Sequence, residues 1–118
     1  MVMAPRYDGW FATMTTIPGK DLPMDNLGPT AAGRVITLRQ HNALVIIDMS
    51  GGYGGSMFDH LRHNGVEVHA YKGAESCARR SRDGKLRFVN KRSAALWLFM
   101  EALDPGQPGG SPIALPPS

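Results

Sequence analysis

The sequence predicts an α/β fold, and three observations carry that expectation. Residues Ala43-Leu44-Val45-Ile46-Ile47-Asp48 hold four consecutive aliphatic side chains without polar alternation. Such a run predicts a strand covered on both faces, as in a parallel sheet. A glycine-rich turn follows, with Gly51, Gly52, Gly54 and Gly55, and then a helix over 56–63. Val66 to Tyr71 reads as a second strand, with Val66, Val68 and Ala70 on one face. Strand, helix, strand in that order is a βαβ unit with parallel pairing and a right-handed crossover.

The other elements follow in chain order. Met1 to Arg6 reads as a strand, Asp8-Gly9 as a hairpin turn and Trp10 to Thr16 as the returning strand. Pro18-Gly19 ends it, and 20–28 reads as loop. Pro29 suits the first position of a helix running to about His41, with Ala31, Ala32, Val35, Ile36 and Leu38 as its apolar positions. Met57, Phe58 and Leu61 face the core from the helix after the glycines, and Asn64-Gly65 stops it. Lys72 to Lys85 reads as a mobile basic loop, and 87–89 as a short extended piece. Asn90 is an N-cap for a helix from Lys91 to Leu103, with Ala94, Trp97, Leu98 and Met100 as its buried face. The domain is therefore expected over 1–104. The segment 105–118 is rich in Pro and Gly, which excludes a helix or an interior strand; it is either loosely held or docked in extended form.

At 118 residues and 42% hydrophobic content, the chain is one small domain with a modest core. One cysteine, Cys77, excludes an intrachain disulfide and a cysteine-based zinc site, and fits a reducing cytoplasm. No apolar run is long enough to span a membrane, and no signal-peptide pattern opens the chain. The formal charge is only +3, but Lys72, Arg79, Arg80, Arg82, Lys85, Arg87, Lys91 and Arg92 crowd into one stretch. Such a strip either meets phosphates or is a solvated loop beside a helix.

Asp48 is the leading candidate site residue, because α/β folds place ligands at the carboxyl ends of strands. The alternative is an acid that caps the next helix or braces the glycine turn. The glycines Gly51, Gly52, Gly54 and Gly55 leave room for a tight turn and a nucleic-acid backbone, but match neither the P-loop nor the dinucleotide fingerprint. His60 and His63, at i and i+3 with no cysteine partner, read as solvated helix histidines, and Trp97 as core. Arg92 in the first turn of its helix opposes the helix dipole and calls for a nearby anion.

Hairpin, helix, strand, helix, strand, helix is the order of a ribonuclease-H-like domain that lacks its first, central strand. Val45-Ile46-Ile47-Asp48, the glycine turn, Asp59-His60-Leu61-Arg62 and Gly65-Val66-Glu67-Val68 resemble the middle of the nuclease domain of tailed-phage terminase large subunits. Leu86-Arg87-Phe88-Val89-Asn90-Lys91-Arg92 before a Trp-containing helix, the ending Ile113-Ala114-Leu115-Pro116-Pro117, and Ala4-Pro5-Arg6-Tyr7-Asp8-Gly9-Trp10 are similar to the same family. The resemblance implies a ribonuclease-H-like mixed sheet and a DNA endonuclease of genome packaging that uses Mg²⁺ or Mn²⁺, with Asp48 as one catalytic metal ligand.

The family's first catalytic aspartate lies on a strand before the hairpin, and its last in a helix beyond the Leu-Pro-Pro stretch. The expectation is therefore the central part of such a domain, encoded by a prophage and located in the bacterial cytoplasm, with an incomplete carboxylate set and no activity alone. No Gly-x-x-x-x-Gly-Lys-Ser/Thr pattern occurs, so no ATP site is expected. Asp59, Asp8 and Glu67 do not complete the set: Asp59 lies in the following helix, Asp8 in a turn, and Glu67 at the opposite edge of the sheet from Asp48. Candidate DNA contacts are Arg79, Arg80, Arg82, Lys85, Lys91 and Arg92, and Asn90 resembles the first residue of the family's Asn-x-Arg element. A missing strand leaves open edges, which predicts a homo-oligomer; the alternative is a hairpin that pairs with the Asp48 strand. From a different class, the chain could be a non-catalytic DNA-binding or interaction module, or a folded prophage remnant without function.

Overall fold

The computed structural model describes residues 1–49 and 54–116. The chain is a mixed α/β protein with the element order β1 (Val2–Met3), β2 (Arg6–Tyr7), β3 (Trp10–Phe11), β4 (Thr15–Thr16), α1 (Leu27–Leu38), β5 (Val45–Asp48), α2 (Gly55–His63), β6 (Val68–Tyr71) and α3 (Lys91–Leu103). Single 3₁₀ turns at Gly19–Asp21 and Met24–Asn26 precede α1. Strands β1 and β4 form one two-stranded sheet, β2 and β3 a second, and β5 and β6 a third. The chain divides into two compact units, Met1 with Thr16–Lys72, and Val2–Thr15 with Gly73–Ser118.

The first unit holds the strand–helix–strand expected from the aliphatic runs. Strands β5 and β6 pair in parallel, with Val45 opposite Val68 and Asp48 opposite Tyr71. Ile47 and Leu61 are buried with Ala32 and Val66, and Val35, Val45, Met49, Met57, Phe58 and Val68 pack around them. Helix α1 begins two residues before Pro29, whose missing N–H falls in the first turn, where no helical acceptor exists. Its buried residues are the small Gly28, Ala31 and Ala32. A Cβ on Gly28 would strike the Ser56 hydroxyl, so the glycine lets α1 and α2 approach closely.

Helix α2 ends in a Schellman motif: Val66 N–H donates to Leu61 C=O, Gly65 N–H donates to Arg62 C=O, and Gly65 takes φ +75°. Both Leu61 and Val66 belong to the core, so the stop signal also sets the entry of β6. One expectation is corrected here. Strand β5 is covered on one face only: Ile47 is 5% exposed and Ile46 65% exposed. An aliphatic run has the same pattern whether one or two faces are covered, and α1 and α2 both supply side chains to the Ile47 side. Among the described residues β5 pairs with β6 and not with the hairpin.

The second unit is built around α3. The β2–β3 hairpin pairs Arg6 with Phe11 and Tyr7 with Trp10, across a turn in which Asp8 takes φ 52°. Within the Pro/Gly-rich segment, the stretch around Ala114 docks on it in extended form. Ala114 N–H donates to Gly9 C=O at 2.7 Å, and Phe11 N–H to Ala114 C=O at 2.9 Å. A Cβ on Gly9 would strike the Pro112 carbonyl, so the docking requires glycine there. Phe11 meets Phe99 of α3 edge to face, with ring centroids 5.9 Å apart.

Both ends of α3 are held by hydrogen bonds from outside the helix. Lys91 and Arg92 N–H donate to the Glu75 and Gly73 carbonyls at 2.8 and 2.9 Å, and Ser93 N–H donates to Asn90 Oδ1 at 2.9 Å. At the other end Gln107 Nε2 donates to the Glu101, Ala102 and Asp104 carbonyls. The expected buried face is corrected: Ala94 is buried and Leu98 half-buried, whereas Trp97 and Met100 are exposed. Trp97 Nε1 donates to Glu101 Oε1 at 2.7 Å, which lays the ring along the helix surface instead of into a core.

Candidate functional site

Asp48 is the last residue of β5 and is exposed at its carboxyl end. The next residue, Met49, donates its N–H to Tyr71 C=O at 2.9 Å, so the pairing with β6 continues past the aspartate and holds the strand end in place. Gly54 caps α2 and is buried. A Cβ there would lie 2.9 Å from Ile47 Cγ2 and from Met49 Sδ, and 3.1 Å from the Asp48 carbonyl. Gly54 therefore brings the start of α2 against the end of β5, whereas Gly55 faces open space. Gly51 and Gly52 lie outside the described residues.

The other acids of this unit do not gather at Asp48. Glu67 C=O accepts from Val45 N–H, which puts Glu67 beside the start of β5. Three strand residues separate the two ends, about 10 Å of rise. Asp59 is exposed on α2. Among the described residues no group of three or more His, Cys, Asp or Glu side chains could hold a metal ion. Two-metal phosphodiester hydrolysis needs carboxylates flanking both ions, held ~3.5–4 Å apart, so Asp48 alone does not organise it. An exposed carboxylate does suit one hydrated Mg²⁺ or Mn²⁺, which takes one or two carboxylates and keeps its waters.

The basic strip belongs, from Gly73 onward, to the second unit, and its members differ sharply. Residues 81–86 form an ordered turn rather than a stretch of featureless loop. Gly84 N–H donates to Ser81 C=O at 2.9 Å, Ser81 N–H to Leu86 C=O at 3.1 Å, and Leu86 N–H to the Ser81 hydroxyl at 3.0 Å. Asp83 Oδ1 accepts from the Ser81 hydroxyl at 2.7 Å and from Lys85 N–H at 2.9 Å. The Ser81 hydrogen bond, then that from Lys85, holds the Asp83 carboxyl below its ordinary value. Asp83-Gly84 is the same turn signal as Asp8-Gly9, and Gly84 takes φ +76°. That dipeptide was the readable sign of the turn.

Four of the expected DNA contacts, Arg80, Arg82, Lys91 and Arg92, are engaged within the protein. Arg82 Nη1 donates to Gln107 Oε1 at 2.9 Å, and its Nη2 lies 3.6 Å from Asp104 Oδ2. Lys91 Nζ lies 3.0 Å from Glu75 Oε1. Arg92 rests on Gly73, where an added Cβ would lie 2.9 Å from Nη2. Arg80 Nη1 donates to Gly84 C=O at 3.3 Å. Among the described residues, the side chains of Arg79, Lys85 and Arg87 make no hydrogen bond or ion pair, and all three are exposed. Asn90 is the N-cap of α3. Arg87, which with Lys72 was not among the candidate contacts, stands opposite Arg80 across the turn, joined by an antiparallel bridge.

Fold and site together define a mixed α/β protein whose parallel strand–helix–strand unit presents a carboxylate at a strand end. Among the described residues no helix is long and apolar enough to cross a membrane. Neither protein families, nor curated proteins, nor solved structures gave a match to the chain.

Proposed function

We propose that this chain is part of a ribonuclease-H-like nuclease domain of the terminase type, with Asp48 as a ligand for Mg²⁺ or Mn²⁺. The observation that carries the reading is the position of Asp48. It ends a strand of a parallel pair, exposed, beside a buried glycine that opens the next helix. Hard divalent ions prefer such oxygen donors. When bound, the ion would stabilise charge on a phosphodiester and acidify an attacking water. What the chain itself supplies is one carboxylate, fixed at its backbone by the continuing ladder to Tyr71. The substrate in this reading is DNA, packaged in the bacterial cytoplasm by a prophage-encoded machine. The remaining carboxylates come from a second copy or from another segment.

Nicking of supercoiled plasmid in Mn²⁺, compared between the chain and Asp48→Asn, tests the reading. With one carboxylate per copy, the chain does not nick unless copies of it come together. Nicking that depends on Asp48 would mean that copies complete the set for each other. Nicking retained in Asp48→Asn would overturn the assignment.

A further inference from the structure

The observation that goes further is the Arg80–Arg87 pair. These two residues stand opposite each other across the Ser81–Leu86 turn. The Ser81 amide donates to the Leu86 carbonyl, so the next pair outward is of the non-hydrogen-bonded kind. In such pairs opposing Cα atoms lie about 4.5 Å apart and the side chains share a face. Like charges placed there repel, and two guanidinium groups on one face form a preset site for an oxyanion.

The nearby acids do not neutralise the pair. Residues 73–92 carry seven Lys and Arg against two acids, Glu75 and Asp83, in a chain whose net charge is only +3. Asp83 turns into its own turn, on Ser81 and Lys85, and Glu75 pairs with Lys91. Asp104 and Glu101 are engaged by Arg82, the first through its guanidinium and the second through its backbone N–H. Arg80 is pre-oriented by its bond to the Gly84 carbonyl, which leaves most of its five N–H donors available.

We propose that Arg80 and Arg87 clamp a backbone phosphate of a nucleic acid. Arginine forks match phosphate oxygens in pairs, and the charge surplus continues in Arg79 and Lys85 on either side. The turn's tip, Arg82-Asp83-Gly84-Lys85, is wholly polar, and the exposed Leu86 and Val89 beside it are isolated aliphatic side chains rather than the continuous apolar face that a lipid surface takes. The clamp does not rest on the nuclease reading, since Asp48 takes no part in it.

The test is fluorescence anisotropy of a mixed-sequence duplex of about 20 bp with the full chain in EDTA, over roughly 50–200 mM salt. Each phosphate contact contributes about −0.9 to the slope of log K against log salt, which corresponds to about eightfold in affinity at 0.1 M. Arg80→Gln and Arg87→Gln each lose about that much affinity and slope, while Arg82→Gln and Lys91→Gln change binding less than about twofold. The Arg87→Gln chain melts no lower than the parent, because a like-charge pair is gone. Equal weakening by all four variants, no binding at the lowest salt, or binding to phosphatidylserine vesicles in place of the duplex would overturn the clamp. Because metal is absent throughout, failure here leaves the Asp48 assignment standing, and the converse holds as well.

Discussion

Asp83 shows how much a single side chain organises in this protein. Its carboxylate accepts from a hydroxyl and from a backbone amide inside a six-residue turn, and both bonds favour the ionised form. A carboxyl held below its ordinary value supports the folded turn fully above the unfolded value, and that support is lost as pH falls through the lowered one. The Lys85 amide proton shift should therefore titrate below 3.8, the ordinary value, and titrate no longer in Asp83→Ala. The place of Asp48 at the end of β5 was legible in the sequence, because the aliphatic run stops there. Arg82 was not. Its density among basic residues pointed outward, whereas Gln107 and Asp104, more than twenty positions on, turn it inward. No local pattern announces a partner at that separation.

Elements with local punctuation were legible almost to the residue. Helix α3 starts at Lys91 because Asn90 caps it, and α2 stops at His63 because Asn64-Gly65 builds a Schellman motif. Asn90→Ala should remove about 1 kcal/mol of stability, measured by urea unfolding, and Asn90→Ser only a few tenths. If the two variants prove equal, the Ser93 amide is satisfied in some other way. What was illegible is which face each element buries. Helix α3 carries Leu96, Trp97, Leu98, Phe99 and Met100 in succession, so no stripe distinguishes inside from outside, and its exposed members include Leu96 at 69%. Strand β5 posed the same difficulty, since Ile46 and Ile47 are identical in chemistry and opposite in burial. The turn at 81–86 was within reach, because Asp83-Gly84 carries the signal already used at Asp8-Gly9.

Across the whole molecule the α/β class followed from the order of apolar periods, and the parallel β5–β6 pair follows the same order. We propose a ribonuclease-H-like topology from the element order and the place of Asp48. The two functional assignments lie in different units, Asp48 in Thr16–Lys72 and the arginine pair in Gly73–Ser118. Each therefore stands on its own chemistry, one on a hard oxygen at a strand end and the other on opposed guanidinium groups.

The central claim is that the carboxylate of Asp48 takes a divalent ion. Titration of Mn²⁺ into the isotopically labelled chain, followed by paramagnetic broadening of backbone amide signals, tests it most directly. The account predicts that Asp48, Met49 and Tyr71 broaden first, and that Asp48→Asn abolishes this focus while the fold's spectrum is kept. Broadening centred on the exposed Glu67 and His69, whose Oε1 and Nε2 lie 3.6 Å apart, or broadening at Asp48 that survives Asp48→Asn, would contradict it.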